Sequence, residues 1–348
     1  MKRLICAFLT FALLLCGTLK VFSAPDISAE AAVLYCPQNR ELIYAENENL
    51  RMRPASTTKI MTALLALEYA EKNDKKVRFT EEMTAEGSSM YLKIGEVLRL
   101  SDLAKGLLMC SGNDAANAVA IAVAGSQEKF ARLMNRRASK IGMKHTHFVT
   151  PSGLDDENHY TTASDMALLM AEALKNRAFK KLTREKSAQV DFIKPSSKRA
   201  AYSNHNRLLS LYRYCIGGKT GYTTAAGRCL VTAAEKDGLR LIAVTLNDRN
   251  DWNDHIKLYD KGFKSRRFAK LDDSELLLDI DAVGGDTDKI TAGCAEISGL
   301  VLKKGDRLRR VIYAENFLYS PVEPGAAVGK IVYTVNGRIA VTHTIRAY

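Results

Sequence analysis

The hydrophobic period of this chain changes twice, and the order of the changes restricts the folds open to it. Ala32-Val33-Leu34-Tyr35 and Glu41-Leu42-Ile43-Tyr44-Ala45 alternate on either side of the polar Pro37-Gln38-Asn39-Arg40, the pattern of a β-hairpin. From Thr57 to about Glu71 the apolar residues Ile60, Met61, Leu64, Leu65, Leu67 and Ala70 recur at helical spacing, with no internal Gly or Pro. The same period predicts helices over Leu100–Met109, Asp114–Ala124, Gln127–Ile141 and Thr162–Lys175, the last opened by Thr161 or Thr162 as cap. After about residue 200 the strands return. Arg228–Ala234 and Leu239–Leu246 flank Asp237-Gly238, a strong hairpin signal, and Lys257–Phe263 reads as the start or body of a closing helix. Strands at both ends of one helical stretch are expected to meet in a single antiparallel sheet.

Beyond Lys264-Ser265-Arg266-Arg267, short β-like runs (Leu276–Ile280, Leu308–Tyr313, Lys330–Val335, Ile339–Ile345) are separated by Gly284-Gly285, Gly305-Asp306, Pro324-Gly325 and Asn336-Gly337. The expected fold class is α+β and multi-domain. Residues 25–270 would form the sheet with its helical subdomain, and 271–348 a small β domain. A length of 348 residues suits one large core plus a smaller one, and no fixed repeat points to a solenoid or propeller.

Residues 1–24 read as an export signal: Met1-Lys2-Arg3 is a short basic start, Leu4–Leu15 is apolar apart from Thr10, and Ser23 and Ala24 offer small residues for cleavage. An uncleaved anchor is the alternative reading. No later apolar run approaches the length of a membrane span, so the remainder should be soluble and extracytoplasmic, at the cell wall or the outer face of the membrane. Cys36, Cys110, Cys215, Cys229 and Cys294 follow the leader, an odd number without CxxC pairs. They read as buried small apolar residues, with a Cys215–Cys229 disulfide left open.

The net charge of +12 is regional: +3 in the leader, −3 over residues 25–172, +14 over 173–270 and −2 over 271–348. A basic balance is compatible with nucleic acid, an anionic surface or an acidic substrate. The run Lys194, Lys198, Arg199 has no interleaved aromatics, which argues against nucleic acid. His145-Thr146-His147 lacks the HExxH pattern, so those histidines are expected to hydrogen-bond in a loop, and no metal or other cofactor is implied. Asp155-Asp156-Glu157 reads as a solvated turn.

Three short motifs fall where chemistry would need them. In Ser56-Thr57-Thr58-Lys59 at a helix start, Ser56 and Lys59 are three apart and share a face. A serine needs an adjacent base, and a lysine neutralised by burial or by a neighbouring cation can serve. Ser111-Gly112-Asn113 sits between two predicted helices and can offer a hydroxyl and an amide to one cavity. Lys219-Thr220-Gly221 leads into a predicted strand, where a glycine edge lets a peptide approach while Lys219 and Thr220 hold a carboxylate. Taken singly, the first two also fit helix caps and turns.

Together they resemble the active-site motifs of the penicillin-binding D-alanyl-D-alanine carboxypeptidases, the low-molecular-mass serine family. The matching stretches are Pro54-Ala55-Ser56-Thr57-Thr58-Lys59, Ser111-Gly112-Asn113-Asp114-Ala115-Ala116 and Lys219-Thr220-Gly221-Tyr222-Thr223. Glu86-Gly87-Ser88-Ser89, Gly142–Phe148, Pro151-Ser152-Gly153-Leu154 and His159-Tyr160-Thr161-Thr162-Ala163 support them. The resemblance covers about Ala29 to Phe263, and the β domain resembles the family's C-terminal module.

This resemblance implies a β-lactamase/transpeptidase-like catalytic domain and a peptidoglycan stem peptide ending in D-Ala-D-Ala as substrate, with β-lactam antibiotics as covalent inhibitors. Ser56 would be the nucleophile, Lys59 its base and Ser111 a proton relay to the leaving amine. Asn113 would hold the substrate backbone, Lys219 and Thr220 its terminal carboxylate, and the backbone N–H groups of Ser56 and Tyr222 the oxyanion, with Gly221 in the same strand. Two departures stand out. Ile216-Gly217-Gly218 replaces an expected Asp-Gly-Ile, and no role passes to Arg249, although some relatives carry a carboxylate-binding arginine near there. No amphipathic tail precedes Tyr348, so any membrane tether would be the leader or a partner. The alternatives are a serine β-lactamase, for which residues 140–180 offer no convincing deacylating glutamate, and a catalytically idle wall-binding protein.

Overall fold

The computed structural model describes residues 26–348; the expected leader lies outside the described residues. The chain opens with the hairpin β1 (Ala29–Cys36) and β2 (Glu41–Glu46). A 3-10 turn, Ala55–Thr58, runs into α1 (Lys59–Ala70), followed by β3 (Lys76–Arg78), β4 (Val97–Arg99), α2 (Leu100–Met109), α3 (Asn113–Ala124), α4 (Gln127–Ile141), α5 (Ala163–Ala173) and α6 (Arg177–Thr183). The hairpin β5 (Ser187–Asp191) and β6 (Arg199–Ser203) and the single turn α7 (Leu208–Leu211) lead to β7 (Cys215–Thr223), β8 (Gly227–Lys236), β9 (Leu239–Asp248) and α8 (Asp251–Ser265). Strands β10 (Arg266–Asp272), β11 (Leu277–Val283), β12 (Lys289–Gly293), β13 (Ile297–Lys303), β14 (Leu308–Ala314), β15 (Phe317–Tyr319), β16 (Ala327–Val335) and β17 (Arg338–Ala347) complete the chain.

The sheet that carries the site has the order β2-β1-β9-β8-β7, all antiparallel, so the first strands do pair with the last. Helices cover both faces. Val33, Val231 and Val244 pack with Leu64, Leu107 and Met170 on one side, while Leu34, Leu241 and Ala243 meet Leu258 and Tyr259 of α8 on the other. Burial on both faces accounts for the near-continuous apolar runs in β8 and β9. Residues Lys59 to Leu67 of α1 are all buried, as befits a helix enclosed by the core. Asp237 and Gly238 both take positive φ, at 49° and 80°, in the expected tight turn between β8 and β9.

Helix α8 starts at Asp251, six residues before the apolar pattern begins at Lys257, because its first turns bury polar groups. Asp254 accepts hydrogen bonds from Ser28 N (2.6 Å) and Oγ (2.9 Å), and His255 lies between Thr232 Oγ1 (2.7 Å) and Thr245 Oγ1 (3.1 Å). The five described cysteines are all free. A Cys215–Cys229 bridge does not form, because Cys215 pairs with Ala234 and Cys229 with Gly221, at opposite ends of the β7–β8 ladder.

The C-terminal strands form the sheet β14-β16-β17-β12-β11-β15 and the separate ladder β10-β13. Between β10 and β11, buried Asp273 accepts from Tyr333 (2.9 Å), Arg310 (2.9 Å) and His343 Nδ1 (2.7 Å), and His343 Nε2 meets Ser298 Oγ at 2.7 Å. Five segments are thereby fastened at one carboxylate. The basic run spans the end of α8 and the start of β10, where Arg266 binds Glu41 of β2 at 2.6 Å.

Candidate active site

Ser56 stands in the 3-10 turn before α1, while Thr57, Thr58 and Lys59 are buried beneath it. The residue before it, Ala55, is buried at φ 47°, a left-handed conformation that costs an L-residue on the order of 1 kcal/mol. Gly153 holds that turn from below: at φ 82° it packs so closely that a Cβ there would lie 1.9 Å from the Ala55 carbonyl oxygen. Thr57 Oγ1 donates to Pro54 O (2.6 Å), and Thr58 Oγ1 meets His159 Nε2 (2.9 Å). His159 Nδ1 accepts from the N–H groups of Val149 and Thr150, both at 3.2 Å, which assigns its proton to Nε2. Burial pushes this histidine down to about 4, so it is a neutral strut.

Lys59 Nζ lies 2.8 Å from Ser56 Oγ, 2.7 Å from Asn113 Oδ1 and 2.6 Å from the Ser152 carbonyl oxygen. Two of these partners only accept; the hydroxyl can also donate. A neutral amine has two N–H bonds and one lone pair, so it satisfies all three if it donates to Asn113 and Ser152 and accepts from Ser56. Burial, and then the charge of Lys219, hold Lys59 well below the usual lysine range. Lys219 is itself buried, donates to Thr220 O at 2.7 Å, and is pushed down to about 7 by burial.

Ser111 occupies the junction of α2 and α3 at φ 60°. Its buried Oγ has no hydrogen-bond partner among the described residues, an arrangement that costs stability unless a ligand uses it. Asn113 uses its carbonyl on Lys59 and donates from Nδ2 to Glu86 O at 2.7 Å, which leaves one N–H for a substrate. The next residue, Asp114, takes Ser89 Oγ (2.7 Å) and the N–H groups of Met90 (2.9 Å) and Leu92 (3.1 Å), fixing the loop that carries Ser88.

β7 is the outer strand of the sheet and forms one wall of the cleft. Gly221 permits this approach: a Cβ there would stand 2.9 Å from Ser56 N. Upstream, Gly217 leaves room for the Thr183 side chain of α6, whose Oγ1 accepts from Gly218 N at 3.0 Å, and Gly218 packs against Val231 and Thr232 of β8; this packing suits the diglycine that departs from the expected pattern. The cleft measures about 290 Å³ and brings together Ser56, Ser111, Thr220, Gly221 and Tyr222, with Lys59 and Lys219 buried close behind. Ser88, His205, Arg228, Asp251 and Trp252 also line it. The last four gave no motif: Arg228 falls inside a strand run, and Asp251 in a polar segment. His147 Nδ1 bonds Asn158 O at 2.7 Å, a loop role as expected. Asp273, Cys294 and His343 cluster outside this cleft, where a metal ion would compete with the Arg310 guanidinium already bound to Asp273.

A serine on a lysine, backed by a second lysine on an edge strand beneath helices, defines a serine acyl-transfer enzyme of the penicillin-binding fold. The profile of the peptidase S11 family, D-alanyl-D-alanine carboxypeptidase, matches residues 18–250. D-alanyl-D-alanine carboxypeptidase DacF of Bacillus subtilis is 31% identical over 370 residues, spanning 100% of this chain and 94% of its own. DacC of Escherichia coli is 33% identical, over 90% of this chain and 82% of the relative. Among solved structures, penicillin-binding protein 5 of Haemophilus influenzae superposes with a TM-score of 0.70 at 28% identity, covering 93% of this chain and 98% of its own. The chain belongs to the D-alanyl-D-alanine carboxypeptidase family, serine peptidases that act through an acyl-enzyme.

Proposed function

We propose that this chain removes the terminal D-alanine from peptidoglycan stem pentapeptides, with Ser56 as nucleophile. Ser56 Oγ passes its proton to neutral Lys59 and attacks the carbonyl between the two D-alanines. The oxyanion is received by the N–H groups of Ser56 and Tyr222. Ser111 relays a proton to the departing amine, D-alanine leaves, and water hydrolyses the ester, again with Lys59 as base. Asn113 orients Lys59 and offers its spare N–H to the substrate; Lys219 and Thr220 face the terminal carboxylate. The observation that carries this reading is a buried Lys59 2.8 Å from Ser56 Oγ with no carboxylate among its three hydrogen-bond partners, a setting that burial and the charge of Lys219 tip towards the neutral amine.

The same serine would be acylated by β-lactams, and the basic leader would direct the protein across the membrane to the anionic wall, with residues 25–270 as the catalytic unit and 271–348 as a β module. The test is D-alanine release from a peptide ending in D-Ala-D-Ala, together with fluorescent-penicillin labelling, in the wild type and Ser56→Ala. The variant should lose both, release falling at least ~10³-fold. Labelling that persists in Ser56→Ala contradicts the nucleophile; labelling without D-alanine release favours an idle binder, and rapid penicillin turnover a β-lactamase.

A further inference from the structure

Helix α6 and its C-cap carry Arg177, Lys180, Lys181 and Arg184 at positions i, i+3, i+4 and i+7, so the four cations share one face. The other face is fixed. Phe179 and Thr183 are buried, and Thr183 Oγ1 accepts from Gly218 N at 3.0 Å, next to Lys219 in β7. Arg177, Lys181 and Arg184 are exposed and Lys180 is half-buried; with Glu185 they line a concavity of about 500 Å³. Among the described residues none of the four pairs with a carboxylate, and Glu172 upstream is taken by Arg137 and Lys175.

Such a stripe opposes its own helix. Like charges three and four apart destabilise it, and Arg177 stands against the helix dipole in a first turn that holds no acid. Residues 175–186 carry six basic side chains and one acid, so the repulsion is not relieved by the flanking chain. An anion laid along the face would relieve it. The four positions span about 10 Å at 1.5 Å per residue, which calls for a repeating anion rather than a single one. Guanidinium forks at both ends with ammonium groups between them suit phosphate oxygens. A bilayer would need apolar side chains exposed among the cations, whereas Ala178, Phe179 and Leu182 pack on the core. With Phe179 buried, the face also has no aromatic ring on which a nucleic-acid base could stack.

We propose that the cationic face of α6 is a docking surface for a linear phosphodiester polymer, bound along Arg177, Lys180, Lys181 and Arg184. Because α6 is fastened to β7 through Thr183, a polymer held there lies beside the edge strand that walls the cleft. The surface is separate from the catalytic groups, and binding to it does not depend on the carboxypeptidase reading.

The test is fluorescence anisotropy of a fluorescein-tagged glycerol phosphate oligomer titrated with the full chain at low ionic strength. The wild type should bind it, less tightly as salt is added. Replacing Arg177, Lys180, Lys181 and Arg184 together by Gln should weaken binding at least about 10-fold, and the exposed pair Arg177→Gln and Lys181→Gln about 3-fold or more. A control removes the same charge from the β domain, with Lys289, Lys304, Arg309 and Arg338 replaced by Gln; its affinity should stay within about 2-fold of wild type. Unchanged far-UV circular dichroism and thermal unfolding of the pair variant show that its loss is not one of folding. Equal losses in the α6 variants and the control overturn the surface, because net charge alone then governs binding. No binding by the wild type, or equally tight binding of polyglutamate, overturns the phosphodiester assignment. Binding through these residues to phosphatidylglycerol vesicles but not to the oligomer overturns it in favour of a membrane.

Discussion

Lys59 Nζ sits 2.8 Å from Ser56 Oγ, and none of its three hydrogen-bond partners is a carboxylate. An ammonium in that position would be buried without a counter-ion, at a cost of several kcal/mol, next to a second buried lysine. The neutral amine avoids both penalties, and its lone pair is directed at the hydroxyl it is to deprotonate.

Replacing Asn113 by Asp tests this directly. The substitution sets a negative charge about where Oδ1 now accepts from Lys59 at 2.7 Å, and a close opposite charge stabilises the ammonium. Lys59 should titrate higher, so the acid limb of kcat/KM should move up by at least about one pH unit. Activity at pH 7 should drop about 10-fold or more and recover partly at higher pH. A uniform loss at every pH would count against the base assignment.

Gly153→Ala should be costly and Gly142→Ala cheap. At Gly153 a Cβ would overlap the Ala55 carbonyl oxygen at 1.9 Å, whereas at Gly142, the C-cap of α4, nothing lies within 4 Å. Both residues have positive φ, so both substitutions carry a backbone penalty of about 1 kcal/mol. Only the first must also displace the nucleophile turn. Denaturant melts should show about 1 kcal/mol for Gly142→Ala and more than about 2 for Gly153→Ala, which should also slow penicillin acylation.

Acid sensitivity should come from two buried histidines. Burial pushes His159 down to about 4 and His255 down to about 3, against about 6.5 in an unfolded chain. Below pH 6.5 the unfolded state therefore binds protons that the folded state refuses. Stability is flat above that pH with respect to these groups and falls as pH drops towards 4 and 3, by about 1.4 kcal/mol per unit for each histidine. Urea unfolding at a series of pH values should show this slope, and His159→Gln should reduce it by about one proton. An unchanged slope would place the acid sensitivity elsewhere.

Asp273→Asn should loosen the C-terminal strands while leaving the cleft intact. Burial opposes ionisation of Asp273, but hydrogen bonds from Arg310, His343 and Tyr333 outweigh it and keep the carboxylate below its usual range. Breaking a buried ion pair costs about 3 kcal/mol or more. Limited proteolysis should cut within 266–348 faster in this variant, with penicillin labelling unaltered; loss of labelling would show that the cleft depends on this network.

Most of the sheet and the helices was legible because burial there follows simple periods. Leu100–Met109 and Gln127–Ile141 have the bounds expected from apolar spacing, and Asp237-Gly238 marks its turn. What escaped notice is polar and buried, or short and exposed. The start of α8 was hidden by Asp251, Asp254 and His255, whose partners lie in β8, β9 and the residues before β1. The hairpin β5–β6 is too exposed to show a strong alternating pattern, and β13, which pairs with β10, is not among the β-like runs read from the sequence. At the site, the serines and lysines stood out by spacing. Ser152 and His159 fall in stretches that support the resemblance, but their contacts with Lys59 and Thr58, like that of Arg228 with Asp251, join residues apart in sequence and are not written in any local pattern.

The pH dependence of Ser56 acylation measures the central claim most directly. Rapid quenching of the chain with benzylpenicillin, followed by mass spectrometry of the peptide containing Ser56, gives the acylation rate at each pH. With Lys59 neutral, the rate should already be on its plateau well below pH 10.5, and Lys59→Ala should remove nearly all of it. A rate that climbs steadily to a limb near the ordinary lysine pKa, or an adduct on a residue other than Ser56, would contradict the account.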